Sequence, residues 1–355
     1  MQENYQISVV VPVFNAQHTL KRLIDSFLIQ VGVSSTDYEI IFVDDGSVDD
    51  SFIILNEFEK KYDNIRVVHQ DNCGPSAARN KGIKMSKGQY ILFCDSDDYV
   101  EPDILSSLIS SYQIQPSDLV IFGLYDEFIR GKEKIAVYQH RGIEKFYKTR
   151  YEFLLDFHSI LDNNLLYSQC TKLYSKKLLD DNLILFDETL SMGEDIRFNL
   201  NCFSKVNRVA VLNGSYYHYV HNLDANSVSS SYCEDYFQNI CEVACLKEEL
   251  LLEENALTTD NLISLNNYFM GRISSSIQNA FLKPNVSLAY KINTIKDIIS
   301  NNQVRFAAAQ YEGNNRLYNI LAKGVIKRRR FWIALIYWNL LFIKKHFPRL
   351  VQKLK

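Results

Sequence analysis

The chain has 355 residues, 47% of them hydrophobic and 13% aromatic, the composition of a soluble globular protein with material for one large domain and a smaller one. Its formal net charge of −3 hides an asymmetry: from Lys323 onward there are ten Lys and Arg and no Asp or Glu, leaving 29 of the 39 bases against all 42 acids in residues 1–322. An acidic body with a basic, apolar tail argues against nucleic acid as a partner and confines any anionic partner to the tail.

In chain order, the first half alternates between two periodicities. "QISVVVPVF" (6–14), "YEIIFVDD" (38–45), "IRVVHQ" (65–70) and "QYILFCD" (89–95) are apolar, β-branched runs that predict strands. Between them, 18–30, 51–62 and 75–86 carry helical spacing, and 101–113 follows with Pro102 where a helix start accepts one. Strands apolar on both faces and separated by helices predict βαβ units, hence an open, mostly parallel α/β sheet with helices on both faces. A further strand is expected at 117–128, helices at 149–161 and 192–204, and a closing strand at 208–221. Helices at 233–254, 261–281 and 287–300 then predict a helical C-terminal region. The expected division is a sheet-bearing domain over 1–222, a helical region over 223–322 and a basic amphipathic tail over 323–355.

The seven Cys (73, 94, 170, 202, 233, 241 and 245) are odd in number and lack C-x-x-C spacing, which predicts reduced, mostly buried thiols in a cytoplasmic protein. The start "MQENYQISVVVPVF" carries an acid and no basic, long apolar leader, so no secretory signal is expected. No stretch reaches the roughly 20 apolar residues of a membrane-spanning helix.

In open α/β sheets ligands sit beyond the carboxyl ends of the strands. There the first strand ends in Pro12-Val13-Phe14-Asn15, the second in Asp44-Asp45-Gly46-Ser47 and the fourth in Asp95-Ser96-Asp97-Asp98. The loop after the third, "NCGPSAARNKG" (72–82), leads into a helix carrying Arg79. In an extended segment Asp95 and Asp97 would project to the same side and could grip a hard divalent cation through oxygen. Each motif alone has a bland reading: a solvated turn for D-x-D, an Asx-type turn for "VDDGS", and the acidic first turn of a helix for Glu194-Asp195.

Together and in this order, these motifs resemble glycosyltransferase family 2, the inverting sugar-nucleotide enzymes of the GT-A fold, and look most like bacterial members that build surface polysaccharides such as capsule. The match is dense over residues 6 to about 115, and the family's later motif stands as "MGEDIRFNLN" at 192–201. The resemblance implies that Pro12, Val13, Phe14, Asn15 and Asp44 border the nucleoside and that Asp45 reads the uracil edge. It further implies that Asp95 and Ser96 lie near the ribose, Arg79 near the nucleotide, and Asp97 on a metal, Mn²⁺ or Mg²⁺. Asp195 matches the catalytic base, with Glu194 as the alternative. Many relatives carry an Arg after a Tyr in the segment that here reads "YYHYVHNLDANSVS" (216–229); this chain has Val220 and His221 instead, which puts that diphosphate contact in doubt and leaves His218 or His221 either as its substitute or as a structurally satisfied strand histidine. "CTKLYSKKLL" (170–179) resembles an acceptor-side segment, with Lys172 a weak candidate.

The tail "KRRRFWIALIYWNLLFIKKHFPRLVQKLK" (327–355) brackets a 13-residue stretch, Phe331–Ile343, apolar except for Asn339, with Lys and Arg. As a helix that stretch is roughly 20 Å long, short of the ~30 Å hydrocarbon core. Aromatic rings with flanking cations describe an interfacial helix on anionic lipid, and the bland reading is a helix docked on the domain or a second copy. Leu350, Val351 and Leu354 would share a face beyond Pro348.

The expectation is therefore a metal-dependent inverting transferase, peripheral on the cytoplasmic face of the membrane. It would move a sugar from a nucleotide-sugar, UDP by family habit, to a hydroxyl of a lipid-linked oligosaccharide, with homo-oligomer formation open. A phosphohydrolase would place D-x-D after the first strand. A dinucleotide oxidoreductase would need G-x-G-x-x-G there, which "PVFNAQ" lacks. A catalytically degenerate sugar-nucleotide-binding or scaffolding subunit is the other reading.

Overall fold

The computed structural model describes residues 5–131, 133–224 and 232–346. The chain divides into two compact units, Met1–Ala225 and Asn226–Lys355. In the first, the strands are β1 (Ile7–Val13), β2 (Tyr38–Asp45), β3 (Ile65–Gln70), β4 (Tyr90–Phe93), β5 (Tyr99–Val100), β6 (Leu119–Arg130), β7 (Glu133–His140), β8 (Lys145–Tyr147), β9 (Lys172–Ser175) and β10 (Val209–Asn222). They form one sheet in the order β3-β2-β1-β4-β9-β6-β10-β5, with β7 on β6 and β8 on β10. β1 pairs in parallel with β2 and β4, β2 with β3, and β6 with β10. All seven residues of β1 and all eight of β2 are buried, as strands covered on both faces must be.

The helices of this unit are α1 (Leu20–Leu28), α2 (Ser51–Glu59), α3 (Pro75–Met85), α4 (Ile104–Ile114), α5 (Arg150–Leu155), α6 (Phe157–Asp162), α7 (Lys176–Asp181) and α8 (Glu194–Phe203). Gly82 lets α3 lie close on β1: a Cβ there would stand 2.2 Å from Val10 Cγ1. Pro12 falls past the last β1–β4 pair, Val10 with Phe93, where a missing N–H breaks no ladder bond to β4.

Three expectations change. The single helix read over 149–161 is two, α5 and α6, broken at Asp156, whose carboxylate is drawn off to Lys145 (2.5 Å) and Tyr147 Oη (2.8 Å), the two end residues of β8. β4 stops at Phe93, so Asp95 and Asp97 do not lie on an extended strand. The acceptor-like segment at 170–179 contains β9, an antiparallel strand wedged between β4 and β6.

The second unit is helical: α9 (Tyr236–Glu253), α10 (Thr259–Leu282), α11 (Leu288–Ser300), α12 (Asn302–Ala309), α13 (Arg316–Ile326) and α14 (Arg330–His346). The side chains of Thr258, Ser287, Asn301 and Asn315 each cap the N–H groups that open a helix. Met270, Ile273, Ile277, Ile295, Ile299 and Val325 are at the core of this bundle. The charge boundary at Lys323 falls inside α13 rather than between elements. The apolar positions Leu350, Val351 and Leu354 lie outside the described residues.

Candidate active site

The carboxyl ends of β1, β2, β3 and β4 lie on one edge of the sheet, because these strands are parallel neighbours. Asn15, in a left-handed turn at φ 51°, ties two of them together. Its N–H donates to Ser47 Oγ (2.9 Å), and its Oδ1 accepts from Val48 N (2.9 Å). Phe14 is half exposed beside it, whereas Val13 and Asp44 are buried, Asp44 against His69 Nδ1 at 2.6 Å.

Asp45 Oδ1 accepts from Gln70 Nε2 (2.7 Å) and Cys73 N (2.9 Å), and its Oδ2 accepts from Gly74 N (2.8 Å). A carboxylate has about four acceptor sites, so one remains. Gly74 takes φ 90°, which a side chain would resist, and Pro75 opens α3 directly after it.

The segment Asp95–Asp98 is a tight turn in which Asp98 N donates to Asp95 O (3.2 Å). Thr19 Oγ1 holds Ser96 O at 2.8 Å, and Arg22 on α1 donates to Asp97 O. Asp97 is exposed, and no side chain among the described residues donates to its carboxylate. The surrounding protein and the nearby Asp95 charge push that carboxyl up. Asp98 points the other way. It is fully buried, accepts from Tyr217 Oη and from Val220 N (2.8 Å), and burial raises its carboxyl well above the usual range. Tyr217 Oη also accepts from Asp95 N (3.1 Å), so β10 clamps the turn from below. Asp98 stood in the acidic cluster of the sequence, but only burial separates its clamping position from the open one of Asp97.

Arg79 joins the early motifs to the late one. Its guanidinium lies 2.9 Å from Asp95 Oδ1, 3.3 Å from Asp195 Oδ1 and 3.7 Å from Glu194 Oε1, and the residue is 5% exposed. Asp195 and Glu194 occupy the first turn of α8, whose dipole favours acids. Asn80, next to Arg79 on α3, fixes the approach of α8: it donates to Phe186 O (2.9 Å) and Glu188 Oε1 (2.8 Å) and accepts from Phe186 N (2.8 Å). Desolvation raises the Asp195 carboxyl, Arg79 opposes that, Glu194 and Asp95 add to it, and the result is about 7.

Two residues lie beneath this pair: Gln169, to which the sequence assigns no role, and Lys172, the weak acceptor-side candidate, which the structure places in the interior instead. Gln169 is buried. In the orientation that satisfies its amide, its nitrogen donates to both Asp195 oxygens (3.0 and 3.2 Å) and its oxygen accepts from Arg79 Nη2 (3.1 Å). Lys172 is fully buried, and its ammonium donates to Leu165 O and Ser168 O, both at 2.7 Å, thereby fixing the loop that carries Gln169. Desolvation lowers that ammonium to about 7. Glutamine carries no charge pattern and no spacing signal, so only proximity to "TKLY" could have singled out Gln169. Replacing it with leucine removes a donor to a charged carboxylate, worth about 1.5–3 kcal/mol. The apparent pKa of Asp195 should then rise by about one to two units, read as a displacement of the pH dependence of turnover to higher pH.

The histidines divide. His218 has both ring nitrogens engaged, by Glu127 and Glu101 at 2.8 Å, and its ring is stacked between Tyr99 and Tyr125, so it is structural. His221 stacks on Phe128 at 4.3 Å and lies 3.1 Å from Asp126 Oδ1, while His140 takes Asp126 Oδ2 at 2.9 Å. Burial opposes it, but these two imidazoles bring the Asp126 carboxyl down to about 2.

Asp95 and Asp97 offer hard oxygen donors suited to Mg²⁺ or Mn²⁺, which bind through one or two carboxylates plus phosphate oxygens and water. Among the described residues no group of three or more His, Cys, Asp or Glu could hold a metal unaided. A cation here would thus need ligand oxygens from a bound phosphate, and it would relieve the crowding that raises Asp97.

Comparison with known proteins bears on the family and the fold. A model described as glycosyl transferase family 2 matches residues 8–183. A poly(ribitol-phosphate) beta-glucosyltransferase of Bacillus spizizenii is 30% identical over 74% of this chain and 40% of its own length. The uncharacterized glycosyltransferase EpsJ of Bacillus subtilis is 34% identical over 61% of each. The matches thus span about half the length of these curated relatives. The crystal structure of residues 1–349 of Staphylococcus aureus TarS in complex with UDP superposes with a TM-score of 0.63 at 25% identity, over 94% of this chain and 91% of that one. The mostly parallel sheet followed by helices is the GT-A fold. Through residues 8–183, the chain belongs to glycosyltransferase family 2.

Proposed function

We propose that the protein is an inverting glycosyltransferase that moves a sugar from a UDP-sugar to a hydroxyl of a lipid-linked surface glycan. The observation that carries this is Arg79, which holds Asp95 of the D-x-D turn and Asp195 of α8 on one guanidinium although 100 residues of sequence separate the two acids. UDP is favoured by the complexed TarS structure and by the acceptor site left on Asp45. A polymer acceptor is favoured by the relatives named for poly(ribitol phosphate).

In this reading Asp45 and Asn15 border the base, while Pro12, Val13, Phe14 and Asp44 build the wall behind it. Asp95 and Ser96 face the ribose, and Asp97 with Asp95 would hold a divalent cation. When bound, that cation supplies positive charge against the leaving diphosphate. Asp195 takes the proton of the acceptor hydroxyl as its oxygen attacks the anomeric carbon from the face opposite the diphosphate, which inverts the configuration. Glu194, 3.7 Å from Arg79, keeps a second negative charge beside that base and so favours its protonation. The enzyme would act peripherally, on the cytoplasmic face of the membrane that carries its acceptor.

The test is nucleotide release from UDP-, GDP- and TDP-sugars with Mn²⁺ or EDTA, in the presence of lipid-extracted acceptor. Turnover of a UDP-sugar that EDTA abolishes, and that Asp97→Ala lacks, is the expected result. Donor binding without turnover on any acceptor fraction would favour the degenerate-subunit reading instead.

A further inference from the structure

α14 presents two opposite faces. Ile333, Ala334 and Tyr337 are buried in the helical unit, and Tyr337 Oη is 2.7 Å from the buried Ser274 Oγ. On the other side Phe331, Trp332, Leu335 and Trp338 are exposed by 62, 62, 57 and 52%, at the i, i+1, i+4, i+7 spacing of one helical face. An exposed run of large apolar and aromatic residues on an ordered helix is unusual for a surface that meets only water.

The four residues that precede this face are Lys327, Arg328, Arg329 and Arg330. No ion pair among the described residues reaches any of them, and the first turn of α14 holds no acid. They lie between the C-terminus of α13, where a helix dipole favours cations, and the N-terminus of α14, where it opposes them. These effects offset, so the chain's own electrostatics do not account for four bases in a row. Arg330 lies over the Phe331 ring at 4.9 Å, which joins the charge to the apolar face.

We propose that this face of α14 is a docking surface for an anionic lipid bilayer, with the aromatic rings at the headgroup level and the four bases against lipid phosphates. No described helix is long and apolar enough to cross a membrane, so α14 would lie in the interface rather than span it. The inference specifies the membrane contact of the proposed function, but its geometry does not depend on the sugar chemistry.

The chain's only two tryptophans, Trp332 and Trp338, are both on this face, so intrinsic fluorescence reports on it directly. The full-length protein is titrated, without donor, into vesicles of phosphatidylglycerol with phosphatidylcholine and into vesicles of phosphatidylcholine alone. The expected result is a blue shift of emission and co-sedimentation with the anionic vesicles, at least tenfold weaker on neutral ones and weakened by salt. The triple variant Phe331→Ser, Trp332→Ser, Leu335→Ser should lose binding at least tenfold with unchanged helix content, because the buried Ile333, Ala334 and Tyr337 and the contact of Trp338 with the Phe281 ring are untouched. Absence of binding to anionic vesicles, or binding that the triple variant retains, overturns the proposal. So does a lipid-free dimer that the variant dissolves, since the face would then meet a second copy. Because the readout is binding without turnover, a failed transferase assay leaves this result unaffected.

Discussion

Asp195→Asn should lower the turnover number by about a thousandfold while leaving donor binding nearly intact, since a positioned general base contributes roughly 10²–10⁴. The geometry supports a large effect: the carboxyl lies at the floor of the site, held by Arg79 at 3.3 Å, with Glu194 beside it. Only the ionised carboxylate can accept a proton, and this carboxyl is pushed up to about 7. Wild-type turnover should therefore rise tenfold per pH unit below about 7 and level off above it, and the asparagine variant should lose that rising limb. Nucleotide release across pH 5–9, paired with calorimetric titration of the nucleotide, separates catalysis from binding. An asparagine variant within tenfold of wild type would remove Asp195 from the chemistry and turn attention to Glu194.

Arg79→Met should destabilise the sheet-bearing unit by about 3–5 kcal/mol, the cost of removing one partner from a buried charged network. Asp95, Asp195 and Glu194 would then face one another without a cation between them. For a unit of this size the melting temperature should fall by roughly 10 °C. The pH dependence has a definite sign. Without Arg79 the Asp195 carboxyl, already pushed up to about 7, would be raised further above its unfolded value, so the folded variant binds a proton that the unfolded chain releases. Its stability deficit should be largest above pH 7 and should shrink as pH falls toward 4, where protonation removes the repulsion. Thermal unfolding of both proteins at pH 5 and pH 8 measures this. An equal deficit at both pH values would mean that Arg79 contributes packing, including its contact 5.3 Å above the Phe186 ring, rather than charge.

Much of this molecule is legible from residue order alone. The four apolar β-branched runs with helices between them determine a parallel sheet, because strands buried on both faces leave no polar alternation. That architecture in turn places Asn15, Asp45 and the D-x-D acids on one edge, since the carboxyl ends of parallel neighbours share it. β7, eight residues long, escaped because it has no fully buried position and so no apolar face to read, and β8 and β9 because three and four residues are too few to show a period. Local sequence also could not say which acid of the D-x-D-D run is open and which is clamped. Asp97 and Asp98 are adjacent and identical in type, and Tyr217, 119 positions beyond Asp98, decides between them. Likewise Arg79, Gln169 and Asp195 converge only because α3 grips the chain at Phe186 before α8 begins. Sequence determines which residues can do the chemistry. Their protonation and mutual distance depend on burial and long-range contacts, which arise only when segments a hundred residues apart pack together.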